Sequence, residues 1–447
     1  MNLGWRQGGL AAVLLVLVVG SVGVYYNAGT PPPPPPPAPP PAEPAPTAGT
    51  STAAPTVATT VWTADNIDKL VPVAPTRRTT VTRPIPASPK YDAALQVLGG
   101  IVETWAGDPE NPWAIAHGLL ARGTQFRLVD EREGVSHLFT AVAEPRPIAT
   151  STGTRTLLGF PKSLGEVRVE PHTDLLLKNM GEIGVPPDAT FPSRSGTVAI
   201  ADLYRYTLLK TYLVPAKNHS SYDGPNDMPW GLQALAQWAP PGELSWVATD
   251  GTPMDLDFLA SFTVAVLTQE SRFLFESMQK KQSFERKGQP LFSYTCGGAH
   301  LLQGASYAIA RGYGTPMDRK AVEAQVPLMF YRLPIELAIY DEAVKGNPKH
   351  KVRLLVQRMK FLGHFLETMG KMEAMGLYVP DEQQAQALEG AAQNLVLTVE
   401  ALQKAGTFEG MKALRTKDEQ LFLDVIGDAC HAVRGLELAL GRGTVAW

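Results

Sequence analysis

From residue 90 onward, apolar side chains recur at three- and four-residue steps between clusters of Pro, Gly, Asn and Asp. This is the pattern of amphipathic helices joined by turns. The period is clearest over 319–345, 351–375, 382–405 and 417–440, with GNPK (346–349) and YVPDE (378–382) as breaks. Shorter helices are predicted over 90–105, 113–121, 131–143, 173–183, 198–212 and 230–238, and then over 255–282 and 297–312. Taken in order, they form six helical hairpins. Strands are expected only as small insertions near 157–169 and 244–249. The expectation is an all-α domain over 90–447.

The chain ahead of this domain has a different texture. Residues 10–26 are uncharged and rich in Leu, Val, Ala and Gly, follow Arg6 and the amino terminus, and precede the first acidic residue, Glu43. Such a stretch directs export. Small residues are badly placed for cleavage, so residues 1–28 are expected to stay as a signal anchor, with the amino end inside and the domain on the extracytoplasmic side of the membrane. Residues 29–89 read as a disordered Pro-rich linker that opens PPPPPPPAPPPAEPAP from Pro31. Proline fixes φ, so this part should be a stiff polyproline rod about 50 Å long. Val61, Trp62, Ile67, Leu70 and Val71 interrupt the polar tract that follows and are candidates for docking on the domain.

Composition narrows the function classes. With 40 basic and 43 acidic residues the net charge is -3, which argues against nucleic acid as a partner. Cys296 and Cys430 are the only cysteines, so a disulfide scaffold is excluded. One bridge, two free thiols or metal ligands stay open. A phosphate loop, a GxSxG elbow and an HExxH pair are all missing, and with them the usual marks of nucleotide hydrolases, serine esterases and common zinc proteases.

The second helices of the hairpins share small residues with His or Trp: NPWAIAHGLLARG from Asn111, MPWGLQALAQWAP from Met228, CGGAHLLQGASYAIARG from Cys296 and CHAVRGLELALG from Cys430. Small residues let helices crowd round an axis. In this texture and in the count of six, the chain resembles the (α/α)6 toroid proteins, among them polysaccharide lyases and terpenoid and lanthionine cyclases. The resemblance implies an (α/α)6 toroid over the helical domain, with a cavity at the mouth of the inner ring. A helical solenoid or bundle is the alternative.

Four segments carry candidate chemistry. In KNHSSYDGPNDMPW (217–230), Asn226 or Asp227 is placed to cap the helix that begins near Trp230. The NHSSY part resembles an Asn-Asn-His-Ser-Tyr run of some alginate lyases, with one Asn missing and one Ser inserted. That resemblance implies Asn218 and His219 as neutralisers of a uronate carboxylate and Tyr222 as acid and base. Cys296 and His300 are spaced one helical turn apart, and Cys430 and His431 are adjacent. Thiolate and imidazole at such spacings hold zinc, and a Cys-His dipeptide also supplies ligands in lanthionine cyclases. Trp113 and His117 share a helix face and, with Asp227 and Trp230, are candidate binding residues. In VEPHTDLLLKNMGEIGV (169–185), Glu170, His172 and Asp174 precede an apolar helix, where Thr173 or Asp174 is placed to cap.

Together these features predict a membrane-anchored extracytoplasmic domain that binds an envelope polymer, such as a cell-envelope polysaccharide, or a protein partner. Two enzymatic alternatives stand beside it: a lyase or hydrolase of polysaccharide, and a zinc-dependent toroid enzyme. A cavity lined from several inner helices favours the enzymes; a filled core with a broad apolar groove favours the binding module.

Overall fold

The computed structural model describes residues 60–193, 196–224 and 226–447. The expected anchor at 10–26 and the polyproline rod lie outside the described residues. Among the described residues, no helix is long and apolar enough to cross a membrane.

The described chain is mostly helical, and the helices follow one another in the predicted order. They are α1 (Pro89–Ile101) and α2 (Pro112–Arg122), α3 (Gly134–Ala141) and α4 (Leu175–Glu182), and α5 (Ile200–Lys210) and α6 (Met228–Trp238). Then α7 (Leu256–Glu270) and the short α8 (Arg272–Gln279) precede α9 (Ala299–Ala310). The short α10 (Pro316–Glu323) leads into α11 (Gln325–Gly346), which pairs with α12 (Lys351–Ala374). Last, α13 (Glu382–Lys404) and the short α14 (Met411–Lys417) precede α15 (Glu419–Ala439).

The second members of the pairs pack in a closed circuit, α2 on α4, α4 on α6, α6 on α9, α9 on α12, α12 on α15, and α15 back on α2. The first members lie outside: α5 on α6, α7 on α6 and α9, α11 on α12, and α13 on α12 and α15. One close approach in the circuit is between α12 and α15. A Cβ on Gly435 would stand 2.5 Å from the carbonyl oxygen of Gly363, and one on Gly363 would stand 2.9 Å from the amide of Ala432. Both glycines are therefore needed for contact between the two backbones.

Residues 60–88 are not linker; they form a strap across the C-terminal ends of the inner helices. Those ends leave carbonyls without intrahelical donors, and the strap supplies donors. Val73 donates its amide to Trp238, Ile85 to Ala439, and the Thr79 hydroxyl donates to the Ala374 carbonyl. Ile67 and Leu70 are fully buried, Val81 and Ile85 nearly so. The strap is tied to the carboxyl end by antiparallel pairing of Arg78–Thr79 with Val445–Ala446.

Strands are small but reach further than the sequence pattern shows. A hairpin joins Glu144–Thr150 to Gly153–Gly159, a second joins Thr190–Ser193 to Gly196–Ala199, and Val61–Trp62 pairs with Ser245–Val247. The first hairpin starts before the expected region because its edge strand carries two prolines at alternate positions, Pro145 and Pro147. Proline is tolerated on an edge and hides the strand from a propensity reading.

Candidate active site

A cavity of about 850 Å³ occupies the centre of the helix circuit, and all six inner helices contribute to its wall. Segments that precede those helices also line it: Glu110 and Asn111 before α2, His172 before α4, Thr295 and Cys296 before α9. The N-terminal ends of the helices thus converge on the opening, with their partial positive charge. Asn111 accepts the amide of Ala114 and caps α2, with Pro112 in the first turn, so Trp113 and His117 face inward one turn apart.

Five of the eight histidines line this cavity: His117, His172, His300, His364 and His431. Four of them form one cluster at its inner end. Ring centroids are 3.9 Å apart for His364 and His431, 4.9 Å for His300 and His364, and 5.4 Å for His117 and His431. Burial holds all four imidazoles neutral, with His117 pushed down to about 4.

The ligating atoms of Cys296, His300 and His364 lie within 4.8 Å of one another, and so do those of His364, Glu367 and His431. The two sets differ in what their atoms are already doing. Glu367 Oε2 is 2.6 Å from His431 Nδ1, and its other oxygen is 2.5 Å from the ammonium of Lys371. Burial alone would raise this carboxyl, but Lys371 and His431 hold it well below the usual range. His364, which belongs to both sets, makes no hydrogen bond from either buried ring nitrogen, its Nδ1 standing 3.6 Å from Glu367 Oε2, and Cys296 and His300 face the cavity. The first set is the one with ligand atoms to spare.

Cys296 reaches this place by backbone geometry and not by helical spacing, as the sequence reading expected. It lies before α9 in the left-handed region, φ 55°, followed by Gly297 and Gly298 with φ 62° and 83°. A non-glycine residue there is uncommon. The turn is held by Arg332, which donates to the Gly297 carbonyl at 3.1 Å and to Glu336. Burial pushes the Cys296 thiol up to about 12.

Beneath the histidines the circuit is filled. Lys371 bridges Glu182 and Glu367 at 2.5 Å each, and Lys178 pairs with Glu182 at 2.9 Å. Gln303 donates to Thr368 and accepts from Lys371. Nearer the opening, Lys360 lies 3.3 Å from Asp424 and 3.7 Å from Asp428. Each aspartate keeps a buried Oδ2 without a partner. Burial raises the Asp428 carboxyl well above its ordinary value.

Comparison with protein-family models, curated proteins and solved structures gives no match.

The structure therefore sorts the sequence candidates by position. Trp113, His117, Trp230, Cys296, His300 and His431 come together at the cavity. Asp227 stands behind it and caps nothing; its carboxylate meets His172 at 3.2 Å and Thr173 at 3.3 Å. Asn226 accepts the amide of Thr295 instead of capping α6. Asp174 likewise makes no side-chain cap, and Glu170 accepts the amide of Leu176 in its place. Trp230 is held between His172 and His300, each at 4.4 Å, so its faces are occupied by protein.

Both thiols are free; Cys296 is half-buried, whereas Cys430 is buried and does not line the cavity. Adjacent helix positions point about 100° apart, so an inward His431 turns Cys430 away. Asn218, His219 and Tyr222 do not line the cavity either. Asn218 is a left-handed turn residue, His219 is exposed and bonded to Asp250 at 2.7 Å, and Tyr222 is buried against Gly231.

His364, Glu367 and Lys371 escaped the sequence reading. Their signal is three ionisable residues at helical spacing that continue the polar face of α12 begun by Gln357 and Lys360.

Proposed function

We propose that this chain is a membrane-tethered, extracytoplasmic enzyme with an (α/α)6-toroid catalytic domain, dependent on a divalent transition metal held by Cys296, His300 and His364. The observation that carries the reading is the spare coordination capacity of these residues at the inner end of the cavity. One thiolate and two imidazoles suit zinc, and three protein ligands leave a position open to substrate or water. Zinc in such a site acts as a Lewis acid and acidifies bound water. The closed circuit of inner helices supports the toroid, and a cavity walled by all six weighs toward an enzyme over a module that binds an envelope polymer or partner on an apolar groove.

The test is metal content and thiol count on the full chain, solubilised in detergent and purified without chelator. One zinc per chain with two unoxidised thiols is expected. Metal-free protein that fails to take up added zinc would sink the reading.

A further inference from the structure

We infer that the substrate of this cavity carries a carboxylate, and that Arg286 holds it beside the residues assigned to the metal. This rests on the cavity being the active site, as read above.

Arg286 lies in the segment between α8 and α9, and its side chain lines the cavity and is 13% exposed. Its Nη1 donates to the Tyr340 hydroxyl at 2.9 Å and stands 3.7 Å from Glu336 Oε2, outside hydrogen-bond range. Among the described residues, Nε and Nη2 make no hydrogen bond, and neither is one of the fully buried atoms without a partner. That edge of the guanidinium is therefore open to a ligand. Its two N–H groups point the same way and match the two oxygens of a carboxylate. Arg332 shows the same edge filled: its Nε and Nη2 both donate to Glu336 Oε1, at 2.9 and 2.6 Å.

The surrounding charges favour a monoanion. Glu336 faces both arginines and is bonded to Arg332, so these three side chains keep one positive charge in excess. The other buried or half-buried cations of the wall have acids of their own, Lys178 with Glu182 at 2.9 Å and Lys360 with Asp424 and Asp428. Those two aspartates would oppose an anion, and both lie against Lys360. Arg415 pairs with Asp108 at 3.0 Å. Like Arg168, Glu110, Glu166 and Glu419, which also line the cavity, it is exposed, so water and salt screen it. An ammonium would meet the excess positive charge, and a hydroxyl would offer one oxygen to two parallel donors. A carboxylate satisfies both the charge and the fork.

The same place adjoins the ligand set. The Arg286 Cζ is 4.8 Å from the centroid of Phe292, and a Cβ on Gly297 would stand 3.6 Å from Cδ1 of that ring. One phenyl ring thus joins the guanidinium to the turn that carries Cys296.

The experiment titrates zinc-loaded full chain in detergent with hydroxamates that chelate the metal and differ at the far end. Of the succinate, glutarate and adipate monohydroxamates, at least one should bind roughly tenfold or more tighter than its own primary amide, and tighter than the phosphonate and the amine of equal length. Arg286→Gln should bring that acid and its amide within about twofold of each other while one zinc per chain is retained, which also reports an intact fold. Arg286→Lys keeps the charge without the fork and should lose most of the preference as well. Arg415→Gln removes an exposed charge from the same wall and should keep it. Acid and amide that bind alike at all three lengths, a preference that survives Arg286→Gln or vanishes in Arg415→Gln, or tighter binding of the phosphonate or the amine would overturn the inference and leave the metal reading standing. A chain that takes up no zinc sinks the metal reading alone. Glutarate against glutaramide on the metal-free chain then reads the subsite: a preference for glutarate that Arg286→Gln abolishes is expected, and equal binding overturns it.

Discussion

The ammonium of Lys371 stands 2.5 Å from Oε1 of Glu367, and both side chains are fully buried. Glu182 lies at the same distance on the other side. Such a network is costly to assemble and more costly to break, because removing one member leaves an uncompensated charge out of water. Lys371→Met should therefore lower stability by about 3–5 kcal/mol in urea denaturation. Adding Glu367→Gln to that variant should restore part of the loss, by the non-additivity expected of contacting residues. A full additive loss would mean the two do not interact in the way their distance implies.

The strap makes a second cooperative contact. One oxygen of Glu373 accepts from the Thr82 amide at 2.7 Å, the Thr82 hydroxyl at 2.8 Å and the Arg83 amide at 2.8 Å. Glu373→Ala should cost about 2 kcal/mol, because it strips a charged acceptor from three donors. A chain that begins at Pro89 should melt well below one that begins at residue 60, since it also exposes the buried ends of the helix circuit. Equal melting temperatures would return residues 60–88 to the status of linker.

How far the sequence discloses this arrangement depends on the kind of signal. The inner helices announce themselves through Gly363, Gly435 and the small residues around His117 and His300, because close backbone contact demands them locally. The order of the helices was legible from their apolar period. The site was half legible: Cys296, His300 and His431 stood out as chemistry-bearing residues, yet their partner His364 sits in a long amphipathic helix between Leu362, Phe365 and Leu366, where a lone histidine reads as core. Spacing also misled. Cys296 and His300 meet through a left-handed turn that no periodicity encodes, and the Cys-His dipeptide at 430–431 cannot aim both side chains at one point. Asp227 looked like a helix cap because capping is a local rule, whereas its real partners, His172 and Thr173, are more than fifty residues away.

His117 gives a pH test. Its folded-state value, near 4, lies below the ordinary imidazole value of 6.5, so between the two the unfolded chain binds the proton that the folded chain refuses. The stability is fully present above pH 6.5 and is lost as pH falls toward 4. Replacing it with an uncharged residue, His117→Gln, should flatten that part of the pH dependence. At pH 5.5 the difference between the two proteins should shrink by about 1 kcal/mol relative to pH 7.5. Parallel stability curves would show that His117 titrates normally.

Cys296 and Cys430 part company when metal is added. Both thiols are raised by burial, and a metal binds the thiolate, so uptake at Cys296 must release a proton. Zinc affinity should fall about tenfold for each unit that pH is lowered below 8 while one proton is released. Cys296→Ala should abolish this dependence along with most of the affinity, because it removes both the proton and a ligand. Cys430→Ala should keep the affinity and its pH slope unchanged, since that thiol lies off the cavity. If instead Cys430→Ala loses the metal and Cys296→Ala keeps it, the ligand set is wrong and the left-handed turn at Cys296 has another purpose.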